Sequence, residues 1–177
     1  MSEPRAGFVA LLGPPNVGKS SLLNALLGQR LAIVSPRPQT TRSRILGIVP
    51  RGDAQILFLD TPGRHRGAKP LNDSLNAIVD EVARDCDVAL LLVDRSAGWT
   101  DVHDELVQAL AAASRPTIAV ATKADLPPAK AEAGRAVPEA IATGLMPVSA
   151  RRGEGLEALL DAIVAKLPVS PPLYDED

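Results

Sequence analysis

Aromatic side chains are nearly missing from this chain, with one Trp, one Tyr and two Phe among 177 residues. A core cannot be built around rings. The 46% of hydrophobic residues must instead be Leu, Val, Ala and Ile, a mixture that suits aliphatic parallel strands covered by helices. Cysteine is as scarce: the single Cys86 excludes an internal disulfide, and its position at the end of a helical stretch, before Asp87-Val88-Ala89, marks a small buried hydrophobe rather than a reactive thiol. Positive charge is not in excess either. With 19 Lys and Arg against 21 Asp and Glu the formal charge is -2, so no overall basic field argues for nucleic-acid binding. The longest apolar runs are strand-sized and the start, MSEPRAGF, carries no apolar signal core, which argues against a membrane span or export and for a cytoplasmic location.

What is present is an alternation. Apolar strand-like runs at 8–12, 45–49, 56–59, 88–93, 117–121 and 146–148 are separated by helical patterns at 20–27 (closed by Gly28), 72–84, 101–113 and 155–167. Pro50-Arg51-Gly52-Asp53 joins two of the strands tightly enough to form a hairpin. The expected fold is therefore doubly wound α/β: a mostly parallel sheet with one antiparallel edge strand and helices on both faces. Pro127-Pro128 opens a weaker Ala-rich helix that Pro138 interrupts. A domain over 1–168 is followed by an extended, acidic tail over 169–177, a linker or loose terminus with only Leu173 and Tyr174 to bury.

Directly after the first strand, Gly13-Pro14-Pro15-Asn16-Val17-Gly18-Lys19-Ser20 matches G-x-x-x-x-G-K-[ST] and opens the first helix, whose next residue is Ser21. Such a pattern arises by chance in roughly 1 chain of this length in 200. Its spacing aims backbone N–H groups at phosphate oxygens, with the positive end of a helix behind them. Lys19 would reach the outer phosphates and Ser20 would hold Mg2+.

Further motifs follow other strands. Asp60-Thr61-Pro62-Gly63 places a carboxylate beside the phosphate loop, where it can bind Mg2+ through water, and a glycine whose N–H can meet a terminal phosphate. Thr122-Lys123-Ala124-Asp125 names the base: Asp125 can accept from guanine N1–H and the N2 amino group, which adenine lacks. Lys123 would lay its stem along the base. Ser149-Ala150-Arg151 can offer backbone N–H to guanine O6. Each motif is weak alone; their order, each after a strand, carries the guanine reading.

GPPNVGKSSLLNALLG, PQTTRSRILGI, FLDTPG, LLVDRSAGWT, TKADL and VSARRGEGLEALL, in that order, closely resemble the Era family of GTPases over essentially the whole chain. The resemblance implies a six-stranded G domain that binds GTP and GDP with Mg2+ and hydrolyses GTP. It further implies a C-terminal KH domain that engages 16S rRNA during small-subunit assembly. No such domain is recognised in this sequence, so tight RNA binding is not expected of this chain alone. Peripheral association with the inner face of the cell membrane and a monomeric state are carried over in the same way. By resemblance Thr41 is the switch threonine that completes the Mg2+ shell, with Thr40 as the alternative, and Asn16 stands where relatives place a K+ ligand. The catalytic set is then Lys19, Thr41, Gly63 and Asn16, and the Mg2+ set Ser20, Thr41 and Asp60.

Two departures stand out. Thr122 replaces the family's asparagine, and Arg64-His65-Arg66 follows Gly63 where an apolar residue is usual. Neither version supplies a water-orienting glutamine, so slow intrinsic hydrolysis is expected. His65 reads as an exposed loop histidine rather than a base. Arg37, Arg42, Arg44, Arg64, Arg66 and Lys69 read as a solvated face with a nucleotide-sensing or RNA-contacting role as the alternative, and Trp99 as a loop anchor packed on the surface. Two other functions stay open at this point: a non-catalytic, GTP-gated binding module, and a P-loop kinase.

Overall fold

The computed structural model describes residues 3–28, 45–59, 82, 84–128 and 135–174. Six strands form one sheet: β1 (Arg5–Leu12), β2 (Ile45–Arg51), β3 (Ala54–Leu59), β4 (Val88–Asp94), β5 (Thr117–Thr122) and β6 (Met146–Pro147). Four helices accompany them: α1 (Lys19–Gly28), α2 (Asp101–Ala112), α3 (Glu139–Ala142) and α4 (Leu156–Lys166). The strand order is β2-β3-β1-β4-β5-β6, parallel throughout except for the antiparallel β2–β3 hairpin, which turns at Gly52-Asp53 between the paired Arg51 and Ala54.

Every residue of β3 and β4 is buried, as expected of strands covered on both faces. Alternation along β1 sorts the core. Val9 and Leu11 join Leu22 and Leu26 of α1 and Leu156, Leu159, Leu160 and Ile163 of α4 on one face, while Ala10 and Leu12 join Leu106 and Leu110 of α2 on the other. The apolar spacings of α2 and α4 are those of helices with one stripe on the sheet. The expected helix over 72–84 lies outside the described residues except at its end, where Val82 is buried. The Ala-rich segment after Pro128 is likewise outside them until Arg135, and α3 is a single turn that starts after Pro138.

Cys86 is buried among the second cluster, and loss of hydration pushes its thiol up to about 11, as a structural cysteine requires. Trp99 corrects the reading from sequence. It is 2% exposed and part of the core, stacked on the buried His103 with ring centroids 4.7 Å apart, and its indole N–H donates to Asp104 at 2.8 Å. A lone tryptophan in a polar stretch gives no sign that the histidine in the first turn of α2 covers it. His103 accepts from the Thr100 amide at Nδ1 (3.0 Å) and so donates from Nε2 to the Leu92 carbonyl (2.9 Å). Burial lowers its pKa and keeps the ring neutral.

The tail is fastened rather than loose over its described part. Ala6 donates to the Pro168 carbonyl, Ser170 donates to that of Pro4, and the half-buried Arg5 side chain reaches the Leu167 carbonyl. Gln55, at the amino end of β3 and 7% exposed, then accepts from the amides of Leu173 (2.8 Å) and Tyr174 (3.1 Å) and donates to the Tyr174 carbonyl (2.9 Å). A buried amide satisfied at both ends holds this segment against the sheet edge opposite the motifs.

Candidate nucleotide site

In an open parallel sheet the carboxyl ends of the strands share one edge, where ligands bind. Here β1 delivers Gly13, β4 delivers Asp94, β5 delivers Thr122 to Asp125, and β6 leads into Ser149. The sequence-predicted Thr41, Asp60, Thr61, Pro62 and Gly63, with Thr40, lie outside the described residues, as do His65 and the cations Arg37, Arg42, Arg44, Arg64, Arg66 and Lys69.

The loop from Gly13 to Gly18 turns tightly between β1 and α1. A Cβ on Gly13 would stand 2.9 Å from Val17 Cγ1 and 3.0 Å from the Leu92 carbonyl, so only glycine lets the loop lie against β4. Asn16 and Gly18 both take positive φ, 62° and 106°, which reverses the chain into the first turn of α1. Pro14 is half-buried, Pro15 and Asn16 are exposed, and Val17 is driven into the core as the loop's anchor. Lys19 donates from Nζ to the Gly13 carbonyl at 2.9 Å and thus bridges the loop's two ends. Ser20 and Ser21 open α1 exposed. The first amides of a helix have no carbonyl within it to bind, and with the Lys19 ammonium they form a cradle of donors that fits phosphate oxygens. The exposed Ser20 hydroxyl beside it is a hard oxygen of the kind Mg2+ takes. Among the described residues no cluster of three His, Cys, Asp or Glu could hold a metal by itself.

The loop after β5 is pinned to this cradle. Thr122, 3% exposed, donates from Oγ1 to the Val17 carbonyl at 2.6 Å, so the shorter side chain that departs from the family keeps its hold on the phosphate loop. Lys123 takes φ 58° and donates from Nζ to the Asn16 carbonyl (3.0 Å) and to Asp94 Oδ2 (2.7 Å). Asp125 accepts at Oδ1 from the Ser149 hydroxyl at 2.9 Å. That bond above all, with its own backbone amide and the nearby Arg152 and Arg151 charges, holds the Asp125 carboxyl below its ordinary value and keeps it an acceptor.

The loop after β6 narrows one expectation. The Ser149 amide donates to the Glu154 carbonyl (2.9 Å), so of the three residues expected to offer N–H to guanine O6, Ala150 and Arg151 remain. Ser149 serves through its hydroxyl, which also accepts from the Arg152 amide (3.1 Å). Sequence reading missed this brace and missed Asp94. The first could have been found by asking what neutral donor steadies an unpaired Asp125; the second ends an apolar strand run and gave no separate signal.

A phosphate cradle after β1, tied by side chains to an Asp-bearing loop after β5, defines a P-loop nucleotide-binding domain of the GTPase class. The model of a family described as 50S ribosome-binding GTPase matches residues 8–123. GTPase Era of Nitratidesulfovibrio vulgaris is 41% identical over 190 residues, covering 99% of this chain and 61% of that protein. The chain thus spans about three fifths of the length of the curated relatives it matches. Among solved structures, Era in complex with MgGDPNP and nucleotides 1506–1542 of 16S ribosomal RNA superposes with a TM-score of 0.72 at 36% identity, covering 98% of this chain and 61% of that one. An Aquifex aeolicus Era variant bound to GDP·AlF4− gives 0.69 at 35%, covering 98% and 60%. The chain belongs to the 50S ribosome-binding GTPase family and carries its Era-type G domain.

Proposed function

We propose that this chain is a guanine-nucleotide switch that hydrolyses GTP to GDP and phosphate, with 1–168 as the G domain. The observation that carries the reading is the double tie between loops: Thr122 Oγ1 on the Val17 carbonyl and Lys123 Nζ on the Asn16 carbonyl fix the base-reading loop against the phosphate cradle. Asp125 accepts from guanine N1–H and the N2 amino group; Ala150 and Arg151 present amides to O6; Lys123 flanks the base. Lys19 and the first amides of α1 bind the phosphate oxygens and stabilise charge as the terminal phosphate departs. Ser20 with Asp60 and Thr41 would hold Mg2+, which neutralises phosphate charge when bound. The chemistry is positioning and charge stabilisation, with no covalent intermediate. Asn16, exposed at the loop's crest, adds a K+ ligand in this reading.

The test is competition for a fluorescent GDP analogue. GTP displaces it and ATP does not; equal displacement by ATP overturns the guanine assignment and favours the kinase. Phosphate release from GTP, compared with that of Lys19→Ala, decides between an enzyme and a GTP-gated binding module, since equal rates leave only binding. Turnover in KCl against NaCl at equal ionic strength tests the K+ role of Asn16, which equal rates remove. The 16S rRNA complex of the Era relative supports a role in small-subunit assembly, through the KH domain that the family resemblance implies.

A further inference from the structure

One carboxylate at this edge belongs to none of the nucleotide-binding motifs. Asp94 is the last residue of β4 and pairs in register with Thr122 of β5. Its Oδ1 accepts from the Ser96 amide (2.8 Å) and hydroxyl (2.6 Å), and its main-chain carbonyl accepts from the amides of Ala97 and Gly98. These bonds lock the carboxylate into the turn that ends β4. Oδ2 is left to face across the sheet, where it accepts from Lys123 Nζ at 2.7 Å. The Asp94 side chain is 12% exposed, so it stands largely away from solvent.

Lys123 is a long, flexible cation on a backbone of positive φ, and without a fixed anion its ammonium would turn to water. The two partners of its ammonium differ in kind. The Asn16 carbonyl belongs to an exposed loop residue, whereas Asp94 is fixed by four bonds of its own turn. We infer that Asp94 is a positioning residue for guanine-nucleotide binding: it anchors the Lys123 ammonium, which in turn holds the Lys123 stem as a wall for the base and clamps the crest of the phosphate loop at Asn16. The inference rests on the guanine-nucleotide reading above. Asp94 touches no ligand and acts through Lys123 alone.

The experiment measures dissociation of a fluorescent GDP analogue from the wild type, Asp94→Asn, Lys123→Ala and the double variant. Loss of a charged hydrogen-bond partner is expected to speed release from Asp94→Asn about 10- to 100-fold. Because Asp94 acts through Lys123, the same change made in the Lys123→Ala background is expected to alter release by less than about twofold. Unchanged release from Asp94→Asn, or effects that multiply independently in the double variant, overturn the inference. A purely structural role in the Ser96 turn would give that second result. If Asp94→Asn does not fold, Ser96→Ala decides, since it removes one bond from the anchor: release is expected to be about threefold faster, and only where Lys123 is present. Unchanged release there overturns the inference equally. A wild type that fails to bind GDP overturns the functional reading itself, which keeps the two failures distinct.

Discussion

The base end and the phosphate end of this site are built on different plans. At the base end the polar side chains are already hydrogen-bonded within the protein: Thr122 on the Val17 carbonyl, Lys123 on Asp94 and the Asn16 carbonyl, Asp125 on Ser149. At the phosphate end the loop is shaped by backbone constraints, the close approach at Gly13 and the positive φ of Asn16 and Gly18, and its Ser20 opens exposed at the start of α1. The difference is one of organisation before binding. A base is read by a few directional hydrogen bonds, and groups fixed in advance lose little freedom when it arrives. A phosphate is held by many amide dipoles at once, which a turn and a helix supply, while the side chains of Lys19, Thr122 and Lys123 brace that turn at its carbonyls.

The sharpest way to break this comparison is to change the reading group and leave its brace. Asn in place of Asp125 offers one donor and one acceptor, the pattern that suits a xanthine, with O2 where guanine has its amino group. Asp125→Asn is expected to lose guanine-over-xanthine preference by a factor on the order of 10^4, measured by competition of GDP and XDP for the site. Retained preference would mean that the base is read elsewhere. Next in size is Lys19→Ala. Phosphate release from GTP is expected to fall on the order of 10^2- to 10^3-fold, with a far smaller change in the melting temperature of the nucleotide-free protein, where the ammonium is lost from the Gly13 carbonyl but not from a phosphate charge.

Thr122→Val probes the opposite case. Valine keeps the shape but leaves the buried Val17 carbonyl without its donor, at a cost of about 1–3 kcal/mol. Since the bond exists without ligand, denaturation of the nucleotide-free protein should already register that cost. A variant that loses only affinity, with unaltered stability, would erase the distinction between the two ends.

That distinction was half legible in the sequence. The phosphate loop could be read because glycines and a lysine at fixed spacing carry a backbone geometry, and the strands because their burial on both faces writes unbroken apolar runs such as 88–93. The antiparallel hairpin was visible in Pro50-Arg51-Gly52-Asp53, of which only Gly52-Asp53 form the turn. Cross-strand relations were not. Asp94 becomes an anchor for Lys123 only when β4 and β5 lie in register, and Gln55 becomes a clasp only when the tail returns to the sheet. Thr122 is shorter than the asparagine it replaces, and its hold on the phosphate loop depends on the short approach of the Val17 carbonyl, which only the fold brings about. Trp99 looked superficial because its cover, His103, comes from a helix whose polar letters hide a buried imidazole neutralised by burial and held by two hydrogen bonds.

The smallest effect expected is also the most specific to the prearranged end. Asp125 reads guanine only as a carboxylate, and its pKa is depressed first by the Ser149 hydroxyl. A depressed pKa means that the ionised form persists as pH falls through the usual carboxylate range and is lost only on passing the lowered value. Ser149→Ala removes the leading cause, and the acceptor of the Arg152 amide, but leaves both backbone bonds between Ser149 and Glu154 and the charges of Arg152 and Arg151 in place. The loop should therefore hold its shape while the acid limb of GDP affinity moves to higher pH. Affinity at neutral pH, where the carboxylate is ionised in both proteins, should weaken by only the loss of one charge-assisted hydrogen bond, about tenfold. Titration of the phosphates of GDP is common to both proteins and cancels in the difference. An acid limb that does not move would show that the arginine charges, rather than the hydroxyl, keep Asp125 ready for the base.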